Sequence, residues 1–137
     1  MPHSEFVHLH LHTQYSLLDG ACRIPEIIAI AKSFKMDSLA ITDHGSMFGA
    51  IEFYLEAQKA GIKPIIGCEL YLAERTMYDR EGKKDSHHKH LTVLAQNITG
   101  YRNLLKIVTA SYLDGFYYKP RVDINLLKKH PEGLVVL

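Results

Sequence analysis

Between Val7 and His12 apolar and polar side chains alternate one for one, Val7, Leu9 and Leu11 against His8, His10 and His12. That period of two predicts a strand over 6–12 with three imidazoles on one face. Beyond Pro25 the period becomes helical: Ile27, Ile28, Ala31 and Phe34 make one apolar side, and proline suits the first turn of a helix. Ser38–Thr42 is a second short strand. Ser46 can cap a helix over about 47–60, with Ile51, Tyr54 and Leu55 on one face and Gly61 and Pro64 as its stop. Ile65–Leu72 and His90–Ala95 are the third and fourth strands. A helix capped by Asn97 or Thr99 runs through Leu113 and ends near Gly115. A short helix over 124–129 precedes a fifth strand over 133–137. Residues 74–89 are dense in charge and poor in apolar surface, which predicts an exposed, mobile loop.

Strands alternating with helices through short links predict an α/β fold, with a parallel sheet or a barrel. A complete barrel needs more strands than 137 residues offer here. The chain also stops within a strand pattern, so a truncated domain is expected. Hydrophobic residues make up 47% of the chain, enough for a core. The net charge of +1 announces no polyanionic partner in bulk, although a small basic patch would not show in the total. Cys22 and Cys68 form no CxxC pair. Two isolated thiols fit a reducing cytoplasm. No apolar run approaches 18 residues and the start is unlike a signal peptide, so no membrane partner is expected.

Histidine changes the picture. There are nine, concentrated at 3–12, 44 and 87–90. Reactive groups in α/β barrels sit at the C-terminal ends of strands. The first strand offers His10 and His12, with Asp19 in the next loop; the second ends in Asp43 and His44; the third carries Glu69. His90 begins its strand, which is the wrong end for that rule. Imidazole and carboxylate form the mixed set that holds Zn²⁺, Mn²⁺ or Fe²⁺. A carboxylate such as Glu69 can bridge two ions, and paired ions about 3.5–4 Å apart suit phosphoester hydrolysis. Plainer readings stay open beside this one. Asp43-His44 could be a polar turn, Glu69 an edge-strand charge and Asp19 a turn residue before Gly20. His87 and His88 could be solvated. Lys119 and Arg121, beside Tyr117 and Tyr118, could contact a nucleic-acid strand or form a solvated loop.

His10-Leu11-His12-Thr13, Thr42-Asp43-His44-Gly45 and Gly67-Cys68-Glu69 resemble the successive motifs of the PHP (polymerase and histidinol phosphatase) family. The opening run Phe6–Gly20, Gly61–Gly67, His90–Ala95 and Gly115–Asp123 are similar to the branch of that family found in bacterial replicative DNA polymerases. The resemblance implies the N-terminal portion of a distorted (β/α)7 TIM-like barrel, about its first five strands, of a domain that binds up to three divalent metals when complete, its remaining ligands lying further on. It implies His10, His12, Asp19, His44, Glu69 and His90 as ligands. His8 stands where many members have Asp and is left out. Glu69, His12 and Asp43 are the candidates for catalytic roles, Asp43 by orienting its neighbours. The implied partners are DNA and the other subunits of a replicative polymerase, and a fragment of this kind could self-associate through open barrel edges. Nucleotidyl transfer is not expected of the piece itself, because the polymerase core would lie further on. Some members act as metal-dependent 3′–5′ exonucleases and others as structural platforms. A stand-alone phosphatase of the histidinol-phosphatase type is the remaining alternative, for which the Tyr118–Arg121 and Gly61–Gly67 runs are the wrong signature.

Overall fold

A computed structural model describes residues 4–17 and 19–137; His3 lies outside them. The elements are α1 (Ile24–Ser33), β1 (Ser38–Ile41), α2 (Ala50–Ala60), β2 (Lys63–Ala73), α3 (Lys83–Ser86), β3 (His88–Ala95), α4 (Ile98–Leu113), β4 (Phe116–Tyr117), β5 (Lys119–Val122), α5 (Ile124–Lys129) and β6 (Leu134–Val136). The α/β class is as expected, but the sheet is mixed. β2 is its axis. β1 and β5 pair with it in parallel, β3 pairs with it antiparallel, and β6 and β4 pair antiparallel with β3 and β5.

The antiparallel turn has a simple cause. A parallel pair needs a crossover of a dozen or more residues, usually helical. Between β2 and β3 the only helix is the four-residue α3, so the chain doubles back. His44 makes a parallel bridge to Glu69, and Thr92 is opposite Glu69 on β3. Thus β1, His44 and β5 follow one another along the edge of β2 that β3 does not occupy.

Residues 6–12 run extended but form no regular strand. Ala40 and Thr42 donate backbone hydrogen bonds to His8 and Leu11 carbonyls, at 3.0 and 2.9 Å. Two residues of separation on β1 therefore face three on this segment. One extra residue is accommodated, as in a bulge, and the expected strict alternation is lost. Helix α2 begins at Ala50 behind Gly49, later than the pattern implied, Ser46 does not cap it, and it buries Phe53 and Ala57 while the expected face of Ile51, Tyr54 and Leu55 is exposed. Asn97 caps α4 by accepting from Gly100 N.

Two apolar clusters hold the layers together. Ile24, Ile27, Ile28, Leu39, Ile41 and Phe53 join α1, β1 and α2. Cys68, Leu70, Val93, Leu104, Ile107 and Val122 join β2, β3, α4 and β5. Along β2, Cys68 and Leu70 enter this core, so the period of two turns Glu69 and Tyr71 to the opposite face.

The segment over 74–89 departs from the expectation of an exposed loop. Met77 and Asp85 are buried. Arg75 pairs bidentately with Asp85, at 2.8 and 2.5 Å. Residues 116–122, read as an aromatic and basic loop, form the β4–β5 hairpin.

Candidate metal centre

Glu69 lies at the middle of the histidines, with 3% of its surface exposed. Its Oε2 is 2.6 Å from His10 Nε2 and 2.5 Å from His12 Nε2. Its Oε1 is 2.8 Å from His90 Nδ1. His44 Nδ1 is 3.7 Å from Oε2, and His44 Nε2 is 2.8 Å from the Asp19 carboxylate. Three groups gather ligand atoms within 4.8 Å of one another: His10, His12 and Glu69; His12, Asp19 and His44; His44, Glu69 and His90. His8 joins none of them and packs edge-on to Phe6.

The antiparallel course of β3 resolves the misplaced His90. Tyr71 is opposite His90 across the β2–β3 ladder. The start of one strand thus adjoins the end of the other, and the general rule about strand ends is satisfied by geometry rather than by chain direction.

The donor set fits divalent cations. His10 Nε2 and His12 Nε2 approach each other to 3.1 Å while both face the same carboxylate oxygen. Both nitrogens of His44 are buried and lack a hydrogen-bond partner, the near Asp19 oxygen included. A buried imidazole without hydrogen bonds is costly, and coordination is the interaction such nitrogens serve. Burial lowers the basicity of His44, as does the neighbouring His12, and this outweighs the opposing pull of Glu69. The ring is thereby held neutral, the form that binds metals. Burial pushes the Glu69 carboxyl upward, but hydrogen bonds from His10 and His12 overcome it and leave the group below its ordinary range.

Asp43 stands beside this cluster rather than in it. Its Oδ1 accepts from Thr13 N and Ser16 Oγ, both at 2.6 Å, and its Oδ2 accepts from Thr13 Oγ1 at 2.7 Å. It thus fastens the loop that carries Asp19. Ser16 Oγ in turn accepts from His44 N at 3.1 Å.

Arg121 requires a correction. It is 1% exposed, and its guanidinium donates to the carbonyls of Gly115, Asp85, Met77 and Asp79 at 2.9–3.1 Å. A cation consumed in this way cannot also reach a nucleic-acid backbone. It holds the 75–86 segment against β5. Lys119 is exposed, with Nζ 5.4 Å from the centre of the Tyr71 ring.

Tyr71 was missed by sequence reasoning. Its ring stacks nearly parallel on His44, 5.9 Å between centres, and lies edge-on to His88 and His90. The available signal was its position two residues beyond Glu69, on the same strand face. Gly45 was missed as well. Its φ is +59°, and a Cβ there would lie 2.8 Å from Tyr71 Cε2 and 2.9 Å from Pro120 Cγ.

The chain matches the PHP domain over residues 8–137 and belongs to that family. It is 54% identical over 135 residues to DNA polymerase III subunit alpha of Borreliella burgdorferi, covering 96% of this chain and 12% of that protein. It is 51% identical over 138 residues to the same subunit of Treponema pallidum, covering 100% of the chain and 12% of that protein. For the Thermus aquaticus subunit the figures are 47% over 137 residues, 97% and 11%. The chain therefore spans about 12% of the length of the curated relatives it matches. Among solved structures it is similar to an amidohydrolase from Chromobacterium violaceum that holds sulfate and no metal: TM-score 0.52, 26% identity, covering 76% of this chain and 34% of that one. It also shares the fold of a Bifidobacterium adolescentis protein assigned as a metal-dependent phosphoesterase: TM-score 0.52, 16% identity, covering 81% of this chain and 36% of that one. Among the described residues no helix is long and apolar enough to cross a membrane.

Proposed function

We propose that this chain is the opening PHP segment of a DNA polymerase III alpha subunit, about the first five strands of a (β/α)7 barrel, and that its metal centre hydrolyses terminal phosphodiesters as a 3′–5′ exonuclease. The reading rests on one observation above the rest. Six residues from five separate places in the chain bring imidazole and carboxylate ligand atoms together around Glu69, and the innermost imidazole has no hydrogen bond to either nitrogen. His10, His12, Asp19, His44, Glu69 and His90 would hold Zn²⁺, Mn²⁺ or Fe²⁺. Bound divalent ions supply a polarised water and offset phosphate charge. Glu69 offers its two oxygens to opposite sides of the cluster, Oε2 to His10 and His12 and Oε1 to His90, so it can serve two positions. Asp43 keeps the Asp19 loop and the backbone of His44 in register. Lys119, the exposed cation beside Tyr71, would meet a phosphate of the bound strand. The partners follow from the relatives: DNA and the other polymerase III holoenzyme subunits, in the cytoplasm.

The test is metal content and hydrolysis of a p-nitrophenyl phosphodiester by the full chain and by Glu69→Gln. The chain is expected to keep Zn, Mn or Fe through dialysis at less than full occupancy and to turn over the ester. Even outer partners of metal ligands cost 10–100-fold when removed, so Glu69→Gln should lose more than about 100-fold in activity along with its metal. A protein that binds none of the three and stays inactive when they are added would be a platform and not an exonuclease.

A further inference from the structure

We propose that Phe48, Tyr112 and Phe116 form a ledge on which bases of a single-stranded nucleic acid stack as the strand enters the metal centre. The proposal rests on the phosphodiesterase reading above and adds the substrate's recognition to it.

Three apolar rings stand in solvent here, Phe48 67% exposed, Phe116 51% and Tyr112 39%. Tyr112 lies between the other two, with 6.4 Å between ring centres on each side. These are aromatic contact distances, so the rings make one continuous surface. Topology puts that surface at the end of the sheet where the site lies. β3 starts beside the end of β2, so α4 runs back toward that end and delivers Tyr112 there. Phe116 is opposite Pro120 in the β4–β5 hairpin. Pro120 in turn packs against Gly45, next to His44. Phe48 follows His44 by four residues. A path of contacts thus runs from the ledge through Phe116 and Pro120 to Gly45, the neighbour of His44.

The occupant is argued from this continuity and from charge. Lys119 shares the hairpin with Phe116 and holds its ammonium group over Tyr71, the ring that stacks on His44. Rings followed by a cation match the alternation of base and phosphate along a single strand. Stacking on aromatic side chains is the sequence-tolerant way to hold one. Tyr117 is already engaged by the Arg121 guanidinium, 5.2 Å from its centre.

The experiment uses the full chain, freed of metal by chelation, and an oligothymidylate bearing 5-iodouracil near its 3′ end. After irradiation the crosslinked peptides are mapped, with an abasic oligomer of the same length as competitor. Crosslinks are expected on the peptides that carry Phe48, Tyr112 or Phe116. The abasic oligomer should compete about tenfold less well than oligothymidylate, and Phe48→Ala and Phe116→Ala should each lower subsaturating crosslinking by about tenfold. Phe116→Leu, which keeps apolar bulk without a ring, should lose crosslinking with an unchanged melting temperature. Equal competition by the abasic oligomer, crosslinks that bypass these peptides, or yields unmoved by all three variants would overturn the ledge. So would protection of the rings by another polypeptide segment. Crosslinking without p-nitrophenyl ester hydrolysis leaves the ledge standing and removes the exonuclease reading; hydrolysis without crosslinking does the reverse.

Discussion

Asp43 adjoins the proposed ligand His44, and replacing it separates an anchoring role from a chemical one. The carboxylate is 1% exposed and accepts from Thr13 N, Thr13 Oγ1 and Ser16 Oγ. In Asp43→Ala the Thr13 N–H loses its only acceptor in a buried place, which costs about 1–3 kcal/mol, and two charge-assisted bonds vanish with it at about 1.5 kcal/mol or more each. The hydroxyls recover part of this by turning, so the expected net loss is about 3–5 kcal/mol. That is a large share of the roughly 5–15 kcal/mol of a typical domain. Asp43→Asn is different. The amide oxygen keeps Thr13 N and Ser16 Oγ, while the amide nitrogen donates to Thr13 Oγ1, reversing one bond. Charge assistance is lost and the Thr13 hydroxyl gives up its acceptor, together about 1–3 kcal/mol. Urea unfolding with a constant slope reads both values, and metal content measured alongside should fall in Ala far more than in Asn. Equal losses for the two variants would refute the hydrogen-bond account. A stable, metal-replete Asp43→Asn protein without phosphodiesterase activity would refute the anchoring role itself and return Asp43 to the chemistry.

Two further outcomes follow from the same geometry. The Arg75 guanidinium bonded to Asp85 holds that carboxyl down at about 2, against 3.8 ordinarily. The native state thus binds this proton more weakly than the unfolded chain, and the pair stabilises the fold fully above about pH 4 and progressively less from there to about pH 2. Asp85→Asn should flatten that part of the stability–pH curve, measured by urea midpoints from pH 2 to 6; an unchanged acid limb would show that the pair is not the cause. Gly45→Ala places a Cβ against Tyr71 and Pro120 in a left-handed conformation, at about 1–2 kcal/mol for the backbone alone. Because Tyr71 stacks on His44, metal titration should show weakened binding together with lowered stability, and an effect on neither would mean the close approach is not real.

The family and the ligand types were legible in the chain because they are local. His10-Leu11-His12, Asp43-His44 and Glu69 are short runs in which residue type alone restricts the chemistry, while the facing of Glu69 away from the core appears only once Cys68 and Leu70 are seen to be packed inside it. The helices were legible in part: the cap of α4 acts within a few residues and is read correctly, but α2 starts without Ser46 as its cap and buries Phe53 and Ala57 instead of Ile51, Tyr54 and Leu55.

What the chain could not disclose depends on partners distant in sequence. Arg121 reads as an exposed base until the carbonyls of Met77, Asp79, Asp85 and Gly115 are seen to close around it. The segment before β3 reads as a solvated loop because its charges neutralise one another only after Arg75 and Asp85 meet. The direction of β3 was undecidable from its own residues, since a strand's side-chain pattern is the same read up or down. Only the missing crossover and the pairing of Tyr71 with His90 bring that histidine to the cluster. Alternation and residue type selected the candidate ligands; the return of the chain upon itself decided that they share one place.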